Sequence, residues 1–220
     1  MDIKTPTLQD LKRYKCFFFD FDGVVLESGD IKTEAFVELY NGLGISDQVK
    51  HHHLANQGIS RYGKFKWIAE NLLNETYTDE KGEELGNRFS ALVKQKVIAA
   101  SFVPGFEALI KQLSNDDHYC VVASGTPEVE LLDIVDKRRL SGYFHEVHGS
   151  PKTKESVVNN VLQRKGYARE ECLFFGDAST DHEAAASTGL DFYARLTDEL
   201  KDYWNAAEYT YGTLDFSQLA

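Results

Sequence analysis

Residues 15–25 read KCFFFDFDGVV, and this stretch decides the fold. Its apolar run, at 15–20, is closed by Asp and Gly, which is the pattern of a short strand buried on both faces. Three further runs of this kind lie at 119–123 (YCVVA), 172–176 (CLFFG) and 191–195 (DFYAR). Because helical periodicity separates each run from the next, we expect parallel strands in an α/β core. The predicted fold is a doubly wound, Rossmann-like parallel sheet.

The segment 26–102 differs from the rest of the chain because it carries no convincing strand pattern. It shows amphipathic helical patterns near 31–41, 62–73 and 79–100 instead. Helices of the core are predicted at 104–113, 127–138, 153–165, 180–187 and 197–205. We therefore expect a core domain formed by 1–25 and 103–220, with 26–102 inserted into it as a helical unit.

The charge balance limits the kinds of partner. The 220 residues include 24 Lys and Arg against 35 Asp and Glu, a formal net charge of −11. Such a field repels nucleic acid and anionic membrane surfaces, so we expect neither as a partner, and no feature predicts an oligomeric state.

No apolar run approaches the roughly 18 residues of a membrane span, and the first residues lack a signal-peptide pattern, so we expect a cytoplasmic protein. The three cysteines, an odd number without C-x-x-C spacing, are predicted to be buried and reduced.

Carboxylates cluster where two of the predicted strands end. Asp20 and Asp22 stand two apart at the end of the first strand, so an extended backbone sends both side chains the same way. Asp177 and Asp181 stand one helical turn apart after the 172–176 strand. Ligand sites of open α/β sheets lie beyond the carboxyl ends of the strands, so we expect these groups to converge. Converging carboxylates suit Mg²⁺, which prefers oxygen ligands.

Groups suited to phosphate follow the other strands. Ser124 and Gly125 supply a hydroxyl and unhindered backbone N–H groups just before a predicted helix, an arrangement that cradles phosphate. Lys152 and Lys154 both precede the next predicted helix, and either lysine could neutralise phosphate oxygens. The spacing alone leaves the choice between these two lysines open.

The order of these motifs resembles the haloacid dehalogenase superfamily of phosphohydrolases. Asp20-x-Asp22-Gly-Val-Val is similar to its first motif and Ser124-Gly-Thr to its second. Lys154 or Lys152 stands at its third, and Gly-Asp177-x-x-x-Asp181 is similar to its fourth. The helical insertion resembles the C1 cap of that superfamily, and the resemblance covers nearly the whole chain.

The resemblance implies roles for individual residues. Asp20 is expected to be the nucleophile and Asp22 the general acid/base, with Ser124 and Lys154 completing the catalytic set. Lys154 is preferred to Lys152 because it adjoins the predicted helix start. The implied Mg²⁺ ligands are Asp20, the backbone carbonyl of Asp22, Asp177, and Asp181 either directly or through water.

The insertion also offers candidates for substrate contacts. Arg61 and Lys64 lie in the stretch GISRYGK at 58–64, beside a flexible loop. They are predicted to bind the phosphate or the organic part of the substrate, together with Ser124 and Gly125. The alternative is a solvated helix start, and the sequence does not decide between the two. The histidines at 51–53 are predicted to lie on the surface, since three consecutive residues cannot face one metal ion.

These observations favour one function over two others. The leading hypothesis is a Mg²⁺-dependent phosphatase that hydrolyses a small phosphorylated metabolite through an aspartyl-phosphate. A phosphomutase of the β-phosphoglucomutase type shares that intermediate and is the alternative among enzymes. A non-catalytic module that binds phosphate and Mg²⁺ in signalling is the third hypothesis. Asp22 argues against this third hypothesis, because a stable phospho-acceptor needs no adjacent base.

Overall fold

The computed structural model describes residues 6–116 and 118–219. The first five residues of the predicted core segment 1–25 lie outside this range, as do residues 117 and 220. The strands are β1 Cys16–Phe19, β2 Tyr119–Pro127, β3 Glu146–Ser150, β4 Cys172–Gly176, β5 Asp191–Arg195 and β6 Tyr211–Thr213. The helices are α1 Leu8–Leu11, α2 Gly29–Leu39, α3 Ser46–Ala55, α4 Arg61–Asn71, α5 Asp79–Ala99, α6 Phe106–Asn115, α7 Glu128–Lys137, α8 Lys154–Lys165, α9 Ser179–Thr188 and α10 Lys201–Ala206. Short 3₁₀ helices lie at Arg169–Glu171, Asp198–Leu200 and Ser217–Leu219.

The six strands form one parallel sheet in the order β3-β2-β1-β4-β5-β6. The predicted α/β fold is therefore confirmed, and the four predicted strands are all present. The sequence did not reveal β3 and β6, which occupy the two edges of the sheet. The edge strand β3 is polar and only partly buried, and β6 is buried but only three residues long, so neither shows a long apolar run.

Alternate residues of the central strands enter two separate cores. Phe17 and Phe19 face one side of the sheet, where their cluster extends into the helices between 29 and 99. Phe18 faces the other side, against Phe174 and the valines of α8. All four residues of β1 are fully buried. The aromatic run at 17–19 thus serves both faces of a three-layer structure, as a strand covered by helices on both sides requires.

Helix α8 combines an apolar stripe with a charged first residue. Its buried positions are Lys154, Val157, Val158 and Val161, spaced as one face of a helix. The Thr153 hydroxyl accepts a hydrogen bond from the Ser156 N–H and so caps the first turn. The valines pack on the sheet, and this packing places Lys154 over the ends of the central strands.

Residues 29–99 contribute α2, α3, α4 and α5, and all three predicted helical patterns are found among them. The chain enters and leaves this segment side by side, since Leu26 bridges Phe102 and the Val103 N–H donates to the Val25 carbonyl at 3.1 Å. Within the described residues, no helix is long and apolar enough to cross a membrane. All three cysteines are buried and unpaired, as predicted.

The dependence of the fold on the aromatic run can be measured with Phe18→Ala. Phe18 is fully buried and its ring stacks on Phe174 at 6.1 Å between centroids. Removing the ring should lower the free energy of unfolding by ~3–5 kcal/mol, measured by urea denaturation. Leu214→Ala is the control, because Leu214 is 71% exposed, and it should change stability by no more than ~0.5 kcal/mol. Equal effects of the two substitutions would contradict this packing.

Candidate active site

The predicted motifs meet at the carboxyl ends of the neighbouring strands β1, β2 and β4. Asp20 follows β1, Ser124 lies near the end of β2, and Asp177 follows β4. These strands are direct neighbours, with β1 between β2 and β4. Asp181 lies in the first turn of α9, beside the same strand ends. The sheet topology therefore assembles residues that are more than 150 positions apart in sequence.

Asp20, Asp177 and Asp181 form a buried acidic cluster. Each offers a carboxylate oxygen, and these oxygens lie within 4.8 Å of one another. Burial raises the pKa of Asp20 to about 7, with Asp181 and Asp22 adding to the effect and Lys154 opposing it. Burial and the charges of Asp20 and Asp181 also hold the pKa of Asp177 well above its ordinary value. Three buried oxygen donors that repel one another fit a hard divalent cation such as Mg²⁺.

The two candidate lysines have different surroundings. The Lys154 ammonium is buried, lies 3.1 Å from Asp20 Oδ2, and donates to Asp181 Oδ1. Burial opposes its charge, but the two carboxylates outweigh burial and raise the pKa of Lys154. Lys152 is half-exposed, and its ammonium lies 2.6 Å from Glu128 on α7. Only Lys154 of the two reaches the acidic cluster.

The Asp22 carboxylate lies beside this cluster with partners of its own. It accepts hydrogen bonds from Ser28 Oγ at 2.7 Å, from Thr126 Oγ1 at 3.0 Å, and from the Lys32 ammonium. Burial acts to raise the pKa of Asp22, but Lys32 and the two hydroxyls outweigh it and hold the pKa below its ordinary value. Its side chain is not among the three clustered carboxylates.

Ser124 and Gly125 lie where the insertion meets the sheet. The Ser124 hydroxyl accepts a hydrogen bond from the Thr126 N–H at 3.1 Å. A side chain at Gly125 would collide with the backbone carbonyl of Gly58, so glycine is required for this close approach. Thr180 Oγ1 donates to the Gln57 carbonyl at 2.7 Å, which fixes the same loop to the start of α9.

Arg61 is buried at the boundary between the insertion and the core. Its Nη2 lies 2.7 Å from Glu130 Oε1 on α7, and its Nη1 donates to Ser90 Oγ on α5 at 2.7 Å. The guanidinium also lies over the Phe89 ring, 4.6 Å from the centroid. The alternative of a solvated helix start is therefore wrong for Arg61, which is 4% exposed. Its guanidinium joins the insertion to the core.

Lys64, one turn further along α4, is also buried, so the solvated alternative is wrong for it as well. The side chain is 3% exposed, and its Nζ lies 3.0 Å from His53 Nδ1. The ammonium also lies 5.3 Å from the centroid of the Phe36 ring. His53 is 5% exposed, which corrects the prediction that all three histidines of 51–53 lie on the surface. His53 is the inward-facing member of that run.

A pocket separates the strand ends from the insertion. Asp20, Asp22, Ser124, Gly125 and Asp177 line its core side, and Lys32, Phe36, His53, Arg61, Lys64 and Phe89 line its insertion side. The sequence did not single out Lys32, Thr126 or Glu130, and it placed His53 on the surface. Thr126 stands inside the Ser-Gly-Thr motif and could have been found there. The other three lie on helices, where a polar side chain facing a pocket has the same local pattern as one facing water.

Comparison with known proteins shows a family relationship over most of the chain. Residues 17–195 match the family model described as haloacid dehalogenase-like hydrolase. A 5′-nucleotidase of Pseudomonas aeruginosa is 24% identical over 193 residues, 81% of this chain and 80% of the relative. A phosphorylated carbohydrates phosphatase of Thermotoga maritima is 23% identical over 195 residues, 84% of this chain and 86% of the relative.

Solved structures show the same fold. The β-phosphoglucomutase of Clostridium difficile superposes with a TM-score of 0.76 at 17% identity, covering 94% of this chain and 93% of that one. The match to the family model spans the strand ends that carry Asp20, Ser124 and Asp177. On this evidence the chain belongs to the haloacid dehalogenase-like hydrolase family.

Proposed function

We propose that this protein is a Mg²⁺-dependent phosphatase that hydrolyses a small phosphorylated metabolite through an aspartyl-phosphate. One observation carries the proposal: the Asp20 carboxylate, the Lys154 ammonium and two further carboxylates meet at the end of a pocket that also holds Ser124. The two curated relatives are named as phosphatases of a nucleotide and of phosphorylated carbohydrates, which supports the same class of reaction.

Asp20 and Asp177, with the backbone carbonyl of Asp22, would hold the cation directly. Asp181 would hold it through water, because its Oδ1 accepts from Lys154 and its Oδ2 accepts from the Ala178 N–H at 3.1 Å, whereas the described part of the chain gives Asp177 no such partners. Asp20 also has a partner on each oxygen, and it is placed as a direct ligand because of its proposed role as nucleophile. Bound Mg²⁺ supplies positive charge that lets an anionic nucleophile approach an anionic phosphate ester. The raised pKa values of Asp20 and Asp177 fit this assignment, since they reflect buried carboxylates close to one another, whose charge a cation would stabilise.

The residues of the chain would carry the two displacements. A carboxylate oxygen of Asp20 bonds to phosphorus while the ester P–O bond breaks, and Asp22 gives its proton to the leaving alkoxide. Asp22 then removes a proton from water, whose oxygen attacks phosphorus and releases both phosphate and Asp20. Ser124 and Lys154 would hold the phosphoryl oxygens and stabilise their growing charge.

Lys32 sets the protonation state from which Asp22 begins. Its ammonium keeps Asp22 ionised, which is the form that accepts a proton from water. To act as the acid in the first displacement, Asp22 must therefore first take up a proton from solvent, which requires this pairing to loosen when substrate binds. Lys32 has a long side chain and already lies 2.6 Å from Thr126 Oγ1 as well, so its ammonium can turn toward a substrate oxygen without a change of backbone.

We further propose that residues 26–102 act as a C1-type cap on a core formed by 1–25 and 103–220. Support comes from the contacts between the two parts: Arg61 with Glu130, Lys32 with Thr126, and Thr180 with the Gln57 carbonyl. These contacts enclose the pocket, and Arg61 and Lys64 would form its substrate-facing wall together with Ser124 and Gly125. Enclosure excludes water other than the attacking molecule.

A phosphomutase is the second candidate, because the β-phosphoglucomutase structure shares the fold. The two activities differ in whether water or a substrate hydroxyl attacks the aspartyl-phosphate. Incubation with a panel of phosphorylated metabolites in Mg²⁺, scored for both free phosphate and isomers, separates them. We expect free phosphate, and a product that is only an isomer would favour the mutase. The third hypothesis, a signalling module, predicts neither product.

We infer a cytoplasmic location from the three unpaired cysteines, which suit a reducing compartment.

Asp20→Asn tests the nucleophile. An amide is a poor nucleophile, so phosphate release should fall on the order of 10³-fold or more while the circular dichroism spectrum stays unchanged. Asp202→Asn is the matched control, since Asp202 is exposed on α10 and lies outside the pocket. If Asp20→Asn retained activity within about tenfold of wild type, Asp20 could not be the nucleophile.

The lysine assignment is tested by two parallel substitutions. Lys154→Ala removes the buried ammonium beside Asp20 and should lower kcat/KM ~10²-fold or more, the scale of losing one preorganised charge. Lys152→Ala removes a half-exposed side chain paired with Glu128 and should lower it less than about threefold. The opposite ranking of the two variants would assign the role to Lys152.

Metal dependence is tested by activity and by thermal stability together. Mg²⁺ should switch on phosphate release and raise Tm, because a ligand bound only by the native state stabilises it, and EDTA should reverse both effects. Asp177→Asn should weaken both responses more than Asp181→Asn does, since the Asp181 oxygens already have partners in the protein. Full activity of metal-free protein would contradict the site assignment.

A further inference from the structure

The charged side chains around the pocket are paired with two exceptions. Lys154 forms ion pairs with Asp20 and Asp181, Lys32 pairs with Asp22, and Glu130 pairs with Arg61. Of the charged residues that line the pocket, only Asp177 and Lys64 have no oppositely charged side chain in ion-pair contact anywhere in residues 6–116 and 118–219. Asp177 belongs to the proposed cation site on the core side. Lys64 is its counterpart on the insertion side, a cation without a counterion.

The surroundings of Lys64 stabilise its ammonium poorly. His53 Nδ1 accepts one of its three N–H groups at 3.0 Å, and the Phe36 ring face is its other neighbour. Burial, together with the charges of Lys32 and Lys154 and against the opposing effect of Asp22 and Asp20, lowers the pKa of Lys64 to about 7. Burial likewise lowers the pKa of His53 to about 2, so this imidazole stays neutral and its Nδ1 accepts from Lys64. Burying a lone ammonium costs free energy that a bound anion would offset.

Lys64 lies where the end of a substrate remote from the reacting phosphate would bind. The phosphoryl end is assigned to Asp20, Ser124 and Lys154 on the core side of the pocket. Lys64 and His53 lie on the insertion side, on α4 and α3, and line the same pocket. A metabolite that spans the pocket therefore presents the part remote from the reacting phosphate to them. Two N–H groups of the Lys64 ammonium remain available to that part.

We propose that Lys64, held by His53, is the subsite for a second anionic group, so that the substrate is a phosphate ester that also carries a carboxylate or another phosphate. The inference rests on the proposed phosphatase function and names the substrate class of that site. The chemistry required at this subsite is an anionic oxygen that accepts from the ammonium. A neutral sugar phosphate would leave Lys64 buried and without a counterion.

Matched substrate pairs test the proposal. Gluconate 6-phosphate against glucose 6-phosphate and 3-phosphoglycerate against glycerol 1-phosphate differ chiefly in a carboxylate, and fructose 1,6-bisphosphate against fructose 6-phosphate differs in a phosphate. Wild type should prefer the anionic member of at least one pair by ~10-fold or more in kcat/KM, the scale of a charge-assisted hydrogen bond. The preferred pair identifies the anion as carboxylate or phosphate.

Lys64→Met keeps the length and apolar stem of the side chain and removes its charge. The preference ratio within the favoured pair should fall ~10-fold or more in this variant, since any effect common to both members cancels in the ratio. Lys66→Met is the control, because Lys66 is exposed on the same helix, and it should leave the ratio unchanged. If Lys64→Met does not fold, Lys64→Gln replaces it. Absence of any preference in wild type, or an equal ratio in wild type and the Lys64 variant, overturns the proposal.

Failure of the phosphatase function gives a different result. In that case wild type with Mg²⁺ releases no phosphate from any of these compounds or from p-nitrophenyl phosphate. The subsite is then decided by calorimetric binding of the same pairs to wild type and to Lys64→Met. Tighter binding of the anionic member that is lost in the variant supports the subsite, and equal binding of both members contradicts it.

Discussion

The candidate active site depends on the ion pairs that the Lys154 ammonium forms with Asp20 and Asp181. This ammonium is one buried cation against three clustered carboxylates, so the cluster retains excess negative charge wherever all three are ionised. Burial is the main reason that the pKa values of Asp20 and Asp177 are raised, and the charges of the neighbouring carboxylates add to it. The fold supplies the ammonium through the valine stripe of α8, and the remaining imbalance is the physical reason for expecting a divalent cation.

The insertion completes the pocket through polar contacts with the core. The Arg61–Glu130 pair is buried, and such pairs contribute little net stability because desolvation offsets their attraction. They do specify one arrangement, since a displaced partner would leave a charge buried alone. Gly58 and Gly125 allow the two backbones to touch at this boundary, because a side chain at either position would collide with its neighbours. Under the proposed function, the core would hold the reacting groups and the insertion would contact the rest of the substrate.

Burial explains how much of the fold and of the candidate site could be predicted from the sequence. The central strands are covered on both faces, so their apolar runs are visible, whereas the edge strands β3 and β6 are too polar or too short to stand out. Asp20, Ser124 and Asp177 were found because strand ends in a parallel sheet share one edge. Lys32 and Glu130 were missed, and His53 was wrongly placed on the surface, because their positions depend on how helices pack, which local sequence does not encode. Lys154 was preferred to Lys152 because it adjoins the predicted helix start, and the structure adds the reason that Lys154 shares the buried face of α8 with Val157, Val158 and Val161.

The central claim is that Asp20 forms a covalent bond to phosphorus while bound to Lys154. The most direct measurement is to quench the enzyme with acid during steady-state turnover of its best substrate, reduce it with borohydride, and sequence its peptides by mass spectrometry. Reduction of an acyl phosphate converts aspartate to homoserine. The account predicts homoserine at position 20 and unmodified aspartate at positions 22, 177 and 181. Modification at one of those three positions, or unmodified Asp20 during active turnover in a quench that preserves acyl phosphates, would contradict it.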